Sequence, residues 1–122
     1  MRLSTRADYA LRAAIELAAA HDDRVTAEHL ARAQDIPGHF LETILTHLRR
    51  SNIVRSQRGP DGGFWLARPA TEISLADIVK AIDGQVPGLR AGSLYLGYFH
   101  RDRRGDGRTA VHLSADANDC SP

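Results

Sequence analysis

Apolar positions recur with a helical period in four stretches of the chain. The first covers residues 5–20, where Ala10, Leu11, Ala14, Ile15, Leu17 and Ala18 form one broad face. Thr5 followed by Asp8 has the spacing of a capping box, with aspartate in place of glutamate. His21, Asp22 and Asp23 break the pattern and predict a turn. Thr26 then offers an N-cap for a short second helix through Ala27, Leu30, Ala31 and Ala33, because its hydroxyl can accept a first-turn backbone N–H. Gln34 and Asp35 lead out of it. Pro37 suits the first position of a third helix, where its missing N–H is not needed. Leu41, Ile44, Leu45 and Leu48 give that helix an apolar stripe running to about Arg50.

Two short extended stretches follow, Ile53–Gln57 and Phe64–Ala67. They flank Arg58-Gly59-Pro60-Asp61-Gly62-Gly63, a string rich in turn-forming residues, so a β-hairpin is predicted. Pro69 closes it. Ser74 caps a fourth helix from Leu75 to about Ile82, with Asp77 in its first turn and Gly84 at its end. From Gln85 the periodicity is lost. Pro87, Gly88, Gly92 and Gly97 punctuate short apolar pieces, and residues 101–108 are Arg, Asp and Gly only. The expected organisation is one domain over residues 1–83 and a divergent, irregular segment over 84–122, to which a share of a dimer contact is open.

The predicted class is mainly α with a small β-hairpin. Two short helices joined by a tight turn, then a glycine-tipped hairpin, describe a winged helix-turn-helix. A helix of this kind fits the major groove, and the hairpin tip reaches the backbone or minor groove beside it.

Charge enters through its placement. The net charge of +1 does not single out a nucleic-acid binder. Between Glu42 and Asp61, however, there is no acidic residue, while Arg49, Arg50, Arg55 and Arg58 fall there. Arg2, Arg6 and Arg12 offer a second basic edge. Each can neutralise a phosphate and release counterions. Arg49 and Arg50 taken alone read equally well as solvated surface; the neighbouring wing favours the phosphate reading. The polar face of the third helix carries His39, Glu42, Thr43, Thr46 and His47, of which His39 and Thr43 stand near the end usually presented to bases. His47, late in the helix, reads as surface.

The 122 residues suit a single domain with a small core, so support from a second subunit is plausible. Hydrophobic residues make up 43% and charged residues 25%, an ordinary globular balance. No apolar run is long enough for a membrane helix, and no leader peptide is read at the N-terminus, so a cytoplasmic protein is expected. No P-loop, dinucleotide fingerprint, zinc-ligand spacing or catalytic triad is found, and no enzymatic activity is expected. The one cysteine, Cys120, excludes a disulfide within the chain.

Several strings together resemble one family. They are Met1-Arg2-Leu3-Ser4-Thr5 with Tyr9-Ala10-Leu11-Arg12; Ile36, Phe40-Leu41-Glu42, Ile44-Leu45 and Leu48-Arg49; Ile53-Val54, Arg58-Gly59, Gly62-Gly63-Phe64 and Leu66-Ala67-Arg68-Pro69; and Ile73-Ser74-Leu75 with Ile78. In this order they resemble the IscR, NsrR and CymR group of bacterial regulators, the Rrf-two family, over roughly residues 1–83. The resemblance implies a homodimer on a palindromic operator of double-stranded DNA, commonly a repressor and responsive to redox or stress signals. It implies that Arg2, Ser4, Thr5 and Arg6 help hold phosphates, and Thr26 is counted among the DNA-binding residues as well. Pro37, Gly38, His39, Glu42 and Thr43 would occupy the reading edge, and Arg58 and Gly59 would make the wing contact, beside the arginines Arg49, Arg50 and Arg55 already placed by charge at the end of the third helix and the rising wing strand.

The sequence departs from that family in three places. Pro37 stands where a capping serine is common, so sequence preference should differ. The clustered cysteines that hold an iron–sulfur cluster in many members are absent, and Cys120 alone cannot replace them. Asp8, His100 and His112 are poor substitutes, since such ligands only supplement cysteine, and no cofactor is expected. The long C-terminal dimer helix is not found. The alternative reading is a winged-helix module that binds protein, its arginines meeting an acidic surface.

Overall fold

The computed structural model describes residues 3–20, 23–84, 94–103 and 109–113. Helix α1 (Thr5–Ala19) lies at the centre, with α2 (Ala27–Gln34), α3 (Gly38–Arg50), α4 (Leu75–Asp83) and the first hairpin packed around it. Its buried face is Ala7, Ala10, Ala13, Ala14 and Leu17. Leu11, Ile15 and Ala18, expected in the core, are only half-buried. The face is turned toward alanine because small side chains let several elements approach one helix at once. Glu16 is also buried and accepts a hydrogen bond from the Gln34 side-chain amide at 2.7 Å, tying α1 to α2.

The cap of α1 is Ser4, not Thr5. Ser4 is extended (φ −68°, ψ 160°), and its hydroxyl oxygen accepts the Ala7 N–H at 3.0 Å. Two adjacent hydroxyl residues compete for that place, and the earlier one wins it. Asp8 is thereby displaced from the capping-box position and pairs with Arg12 at 2.9 Å. Thr26 caps α2 as expected, accepting the His29 N–H at 3.1 Å.

The α2–α3 turn differs from the expectation at Pro37. This residue is the N-cap of α3 (φ −58°, ψ 134°), and Gly38 is the first helical position. Proline disfavours helical dihedrals at the residue before it. Ile36 is anchored in the core at 4% exposure, and the chain enters the helix only after Pro37. With no side-chain cap, the Pro37 carbonyl accepts the N–H groups of Phe40 and Leu41, both at 3.1 Å. Asp35 (φ 53°) and Asn52 (φ 59°) close α2 and α3 in left-handed conformations. The Ile36 N–H then bonds to Ala31 and the Ile53 N–H to Leu48, the six-to-one pattern of a Schellman end. Along α3, Leu41, Ile44, Leu45 and Leu48 are all buried, as their spacing requires.

Strands β1 (Val54–Gln57) and β2 (Gly63–Leu66) form the antiparallel hairpin in the register Val54↔Leu66, Arg55↔Trp65, Ser56↔Phe64 and Gln57↔Gly63. Its tip turns where the Gly62 N–H bonds to the Gly59 carbonyl at 2.9 Å. A Cβ on Gly62 would stand 2.2 Å from the Gln57 carbonyl oxygen, so only glycine fits. Val25 adds a third, one-residue strand, exchanging hydrogen bonds of 3.0 and 2.8 Å with Phe64. The expected winged helix-turn-helix is therefore the fold observed, with a wing sheet one bridge wider than the sequence suggested.

Ser74 and Asp77 form a reciprocal capping box at α4, and Gly84 (φ 72°) ends the helix. Beyond it the expectation of an irregular segment needs correction. Tyr95 bridges to Ser74, the Leu75 N–H bonds to Leu94 at 3.0 Å, and the Leu96 N–H bonds to Ile73 at 2.9 Å. Leu96 is fully buried. A 3-10 turn over Leu96–Tyr98 packs on another over Ala70–Glu72. Strands β3 (Phe99–Arg103) and β4 (Thr109–Leu113) then pair antiparallel, with His100 opposite His112. No apolar period announces residues 94–98, because their partners at 70–75 lie in an earlier part of the chain. Residues 85–93, 104–108 and 114–122, which include much of the expected tail, lie outside the described residues.

Leu96 gives a direct test of this return to the core. Leu96→Ala should destabilise the protein by about 2–5 kcal/mol, the usual range for a buried leucine. A denaturant midpoint unchanged from the parent chain would mean that residues 94–98 do not pack as described.

Candidate nucleic-acid interface

The buried stripe of α3 fixes which side of the helix faces outward. His39, Glu42 and Thr43 are exposed there, together with Pro37 and Gly38 at its start. The Thr46 hydroxyl donates to the Glu42 carbonyl at 2.9 Å, and that of Thr43 to the His39 carbonyl at 3.4 Å. The threonine oxygens thus keep acceptor capacity and their methyl groups for an outside partner. The His39 ring lies 4.6 Å from that of Phe40, which lies 5.9 Å from Tyr9 of α1. This row of rings seats the first turn of α3 against α1.

The wing stands beside the other end of α3. An Arg49 guanidinium N–H donates to the Ser56 hydroxyl at 3.2 Å, linking the last turn of the helix to β1. The last turn of α3 and strand β1 are therefore neighbours. Arg50, Arg55 and Arg58 are all exposed: Arg50 follows Arg49 at the end of α3, Arg55 points to the hairpin face opposite Ser56, and Arg58 stands at the tip beside Gly59, which has φ 104°. Among the described residues, Arg50, Arg55 and Arg58 make no ion pair or side-chain hydrogen bond, which leaves their donors available to phosphate oxygens.

The edge expected at α1 is thinner. Arg2 lies outside the described residues. Thr5 and Arg6 are exposed in the first turn of α1. Ser4 is half-buried, and its hydroxyl proton is engaged by the Asp83 carboxylate at 2.8 Å. Arg12 is paired with Asp8 and lies 5.9 Å from the Tyr9 ring centre. These groups and Asp35 line an open groove of about 410 Å³, where two carboxylates offset the one guanidinium. Arg6 is the unencumbered cation of this edge among the described residues. Thr26 is exposed, but its oxygen is occupied by the cap of α2.

Sequence reasoning missed Arg24 and Trp65. A guanidinium N–H of Arg24 donates to the Asp61 carbonyl in the wing tip at 2.8 Å, and its central carbon lies 5.0 Å from the Trp65 ring centre. Trp65 could have been noticed as the one tryptophan of the chain, set in a strand opposite Arg55. Arg24 left no local signal, since its partners are 37 or more residues away.

Comparison with known proteins agrees with this geometry. A family model described as Rrf2, iron-dependent transcriptional regulator, matches residues 3–94. A protein of Mycobacterium tuberculosis strain H37Rv, Rv1287, named as an HTH-type transcriptional regulator, is 52% identical over 91 residues, covering 74% of this chain and 56% of that protein. The regulator IscR of Cereibacter sphaeroides is 36% identical over 96 residues, covering 76% of this chain and 62% of its own length. The chain thus spans somewhat over half the length of these relatives. Among solved structures, CymR, the global cysteine regulator of Bacillus subtilis, superposes with a TM-score of 0.69 at 28% identity, covering 76% of this chain and 73% of that one. IscR of T. potens gives 0.68 at 25% identity, covering 80% and 84%.

The word iron in the family description can be checked against the donors present. Iron–sulfur clusters are held by cysteine thiolates. This chain has one cysteine, and among the described residues no group of three or more His, Cys, Asp or Glu is placed to hold a metal ion. Asp8 is committed to Arg12. The described residues thus offer no donor set that fits an iron–sulfur cluster. They do fit the helix-turn-helix and wing of the regulators matched above, and on residues 3–94 the chain belongs to the Rrf2 family of transcriptional regulators.

Proposed function

We propose that this chain binds double-stranded DNA in a sequence-specific manner as a homodimer on a palindromic operator, and that it acts as a repressor without a bound cluster. The observation that carries the reading is the Arg49–Ser56 link, which sets the last turn of α3 beside the strand that leads to exposed Arg58 and Gly59. A helix in the major groove and a tip on the flanking backbone then engage one duplex together. Exposed Glu42 can accept from a cytosine amino group, and Thr43 can meet a base edge or a thymine methyl. Two-fold symmetry of a dimer would be mirrored in the operator, and occupancy of a promoter would block transcription. In the relatives named above, regulation of transcription is the stated role, which supports the same role here. No helix among the described residues is long and apolar enough to cross a membrane, in keeping with action on DNA in the cytoplasm.

The test begins with labelled mixed-sequence duplex over a salt series, followed by selection from a randomised duplex pool. Binding should weaken steeply with salt, and the selected sites should be palindromic and hold two chains per duplex. Duplex binding that is flat across salt, or absent at low salt, would point instead to a winged-helix module that recognises protein. Arg58→Ala should weaken binding on all duplexes and lower the salt slope by about one unit. His39→Ala should leave the slope alone and change which selected site is preferred, because it alters the reading edge and not a phosphate contact. The absorbance of anaerobically purified protein should lack visible charge-transfer bands; their presence would overturn the cluster-free reading.

A further inference from the structure

We infer that Arg24 is a positioning residue for DNA binding, a strap from the α1–α2 connection that holds the wing tip in the shape its contacts require. The inference rests on the reading of the wing as a duplex contact. Arg24 precedes Val25, whose N–H and C=O are both bonded to Phe64 of β2, so the root of the strap is fixed to the wing sheet. The Gly63 position reinforces this, since a Cβ there would meet Arg24 Cβ and Val25 N at 3.1 Å. From that root the guanidinium reaches to the tip. It donates to the Asp61 carbonyl at 2.8 Å and lies over the Trp65 ring at 5.0 Å. Asp61 belongs to the turn that the Gly62-to-Gly59 hydrogen bond closes. One side chain therefore joins the connection, β2 and the turn beside Arg58.

The wing has reason to need such a strap. Two strands of four residues form a hairpin that is marginal by itself. Its tip contains Gly59 and Gly62, which widen the range of backbone shapes open to it. Ordering that tip only on contact with DNA would cost affinity, and a tip ordered beforehand avoids the cost. The Arg24 head has one donor committed to Asp61 and its central carbon over the Trp65 ring, an arrangement suited to bracing. Trp65 is the register partner of Arg55, so the brace sits on the hairpin face that carries that exposed cation.

The test uses the full chain, labelled mixed-sequence duplex and the variants Arg24→Ala, Arg24→Lys, Arg58→Ala and the double variant Arg24→Ala with Arg58→Ala. Arg24→Ala should weaken binding about fivefold, the scale of an exposed cation–π contact and one hydrogen bond. Lysine keeps the charge but not the planar fork, so Arg24→Lys should recover less than half of that loss. In the Arg58→Ala background, removing Arg24 should change neither affinity nor salt slope, because the contact it positions is already gone. Trp65 is the chain's one tryptophan, so acrylamide quenching of its emission reads the brace directly and should rise in Arg24→Ala without DNA. Additive losses, a slope lowered by about one unit in both backgrounds and full rescue by lysine would instead make Arg24 a phosphate ligand and overturn the positioning role. Unchanged binding in Arg24→Ala beside a weakened Arg58→Ala would remove Arg24 from DNA binding altogether. If Arg58→Ala also binds normally, the wing reading itself fails and the strap with it.

Discussion

Close packing around an alanine face is the constraint from which the rest of this molecule follows. Ala7, Ala10, Ala13 and Ala14 place no bulk between α1 and its neighbours, so α2, α3, α4 and β2 share one helix as their common floor. A larger residue at any of these positions would force side chains off their rotamers and push a neighbour outward. Because α3 rests on this floor through Leu41, Ile44, Leu45 and Leu48, the direction of its polar face is settled by packing alone. The same floor carries β2, and through Arg49 and Ser56 the helix and the wing are held at one spacing. Recognition chemistry is therefore displayed by a core that contains none of it.

The helix-turn-helix is sharpened by polar residues acting at chain ends. Asp35 and Asn52 take left-handed conformations that short polar side chains tolerate better than bulky ones. They let Ile36 and Ile53 fold back into the core directly after each helix. At α1 and α4, Ser4 and Asp83 meet at 2.8 Å, so the beginning of the first helix is bonded to the end of the fourth. The chain's N-terminal edge is in this way part of the frame, which leaves Thr5 and Arg6 as its exposed polar residues in the first turn of α1.

What could be read from the sequence was what repeats locally. The stripe of α3 and the capping serine of α4 depend on residues within two turns of one another, and the structure has them where the spacing puts them. The turn string from Arg58 to Gly63 announced the wing for the same reason. Choices between adjacent candidates were not legible. Ser4 and Thr5 offer the same hydroxyl one residue apart, and Pro37 is compatible with either the cap or the first turn. Contacts with distant partners were also invisible. Val25 becomes a strand only because Phe64 lies beside it, Arg24 braces a turn formed much later in the chain, and Leu96 is apolar in an otherwise unpatterned segment. The candidate surface was thus legible at its centre and not in the residues that hold it still.

The tip of the wing also bears on how such a protein can change. Gly62 is walled in by the Gln57 carbonyl and admits no side chain, and at Gly63 (φ 151°) a Cβ would stand 3.1 Å from the Val25 backbone and be strained. Gly59 has open space but a positive φ that other residues adopt at a cost. The rim of the loop is consequently bare peptide, and diversification there is confined to positions 58, 60 and 61. Under the proposed reading of this surface, a change in the DNA sequence preferred would find few positions to vary in the wing and more on the exposed turns of α3.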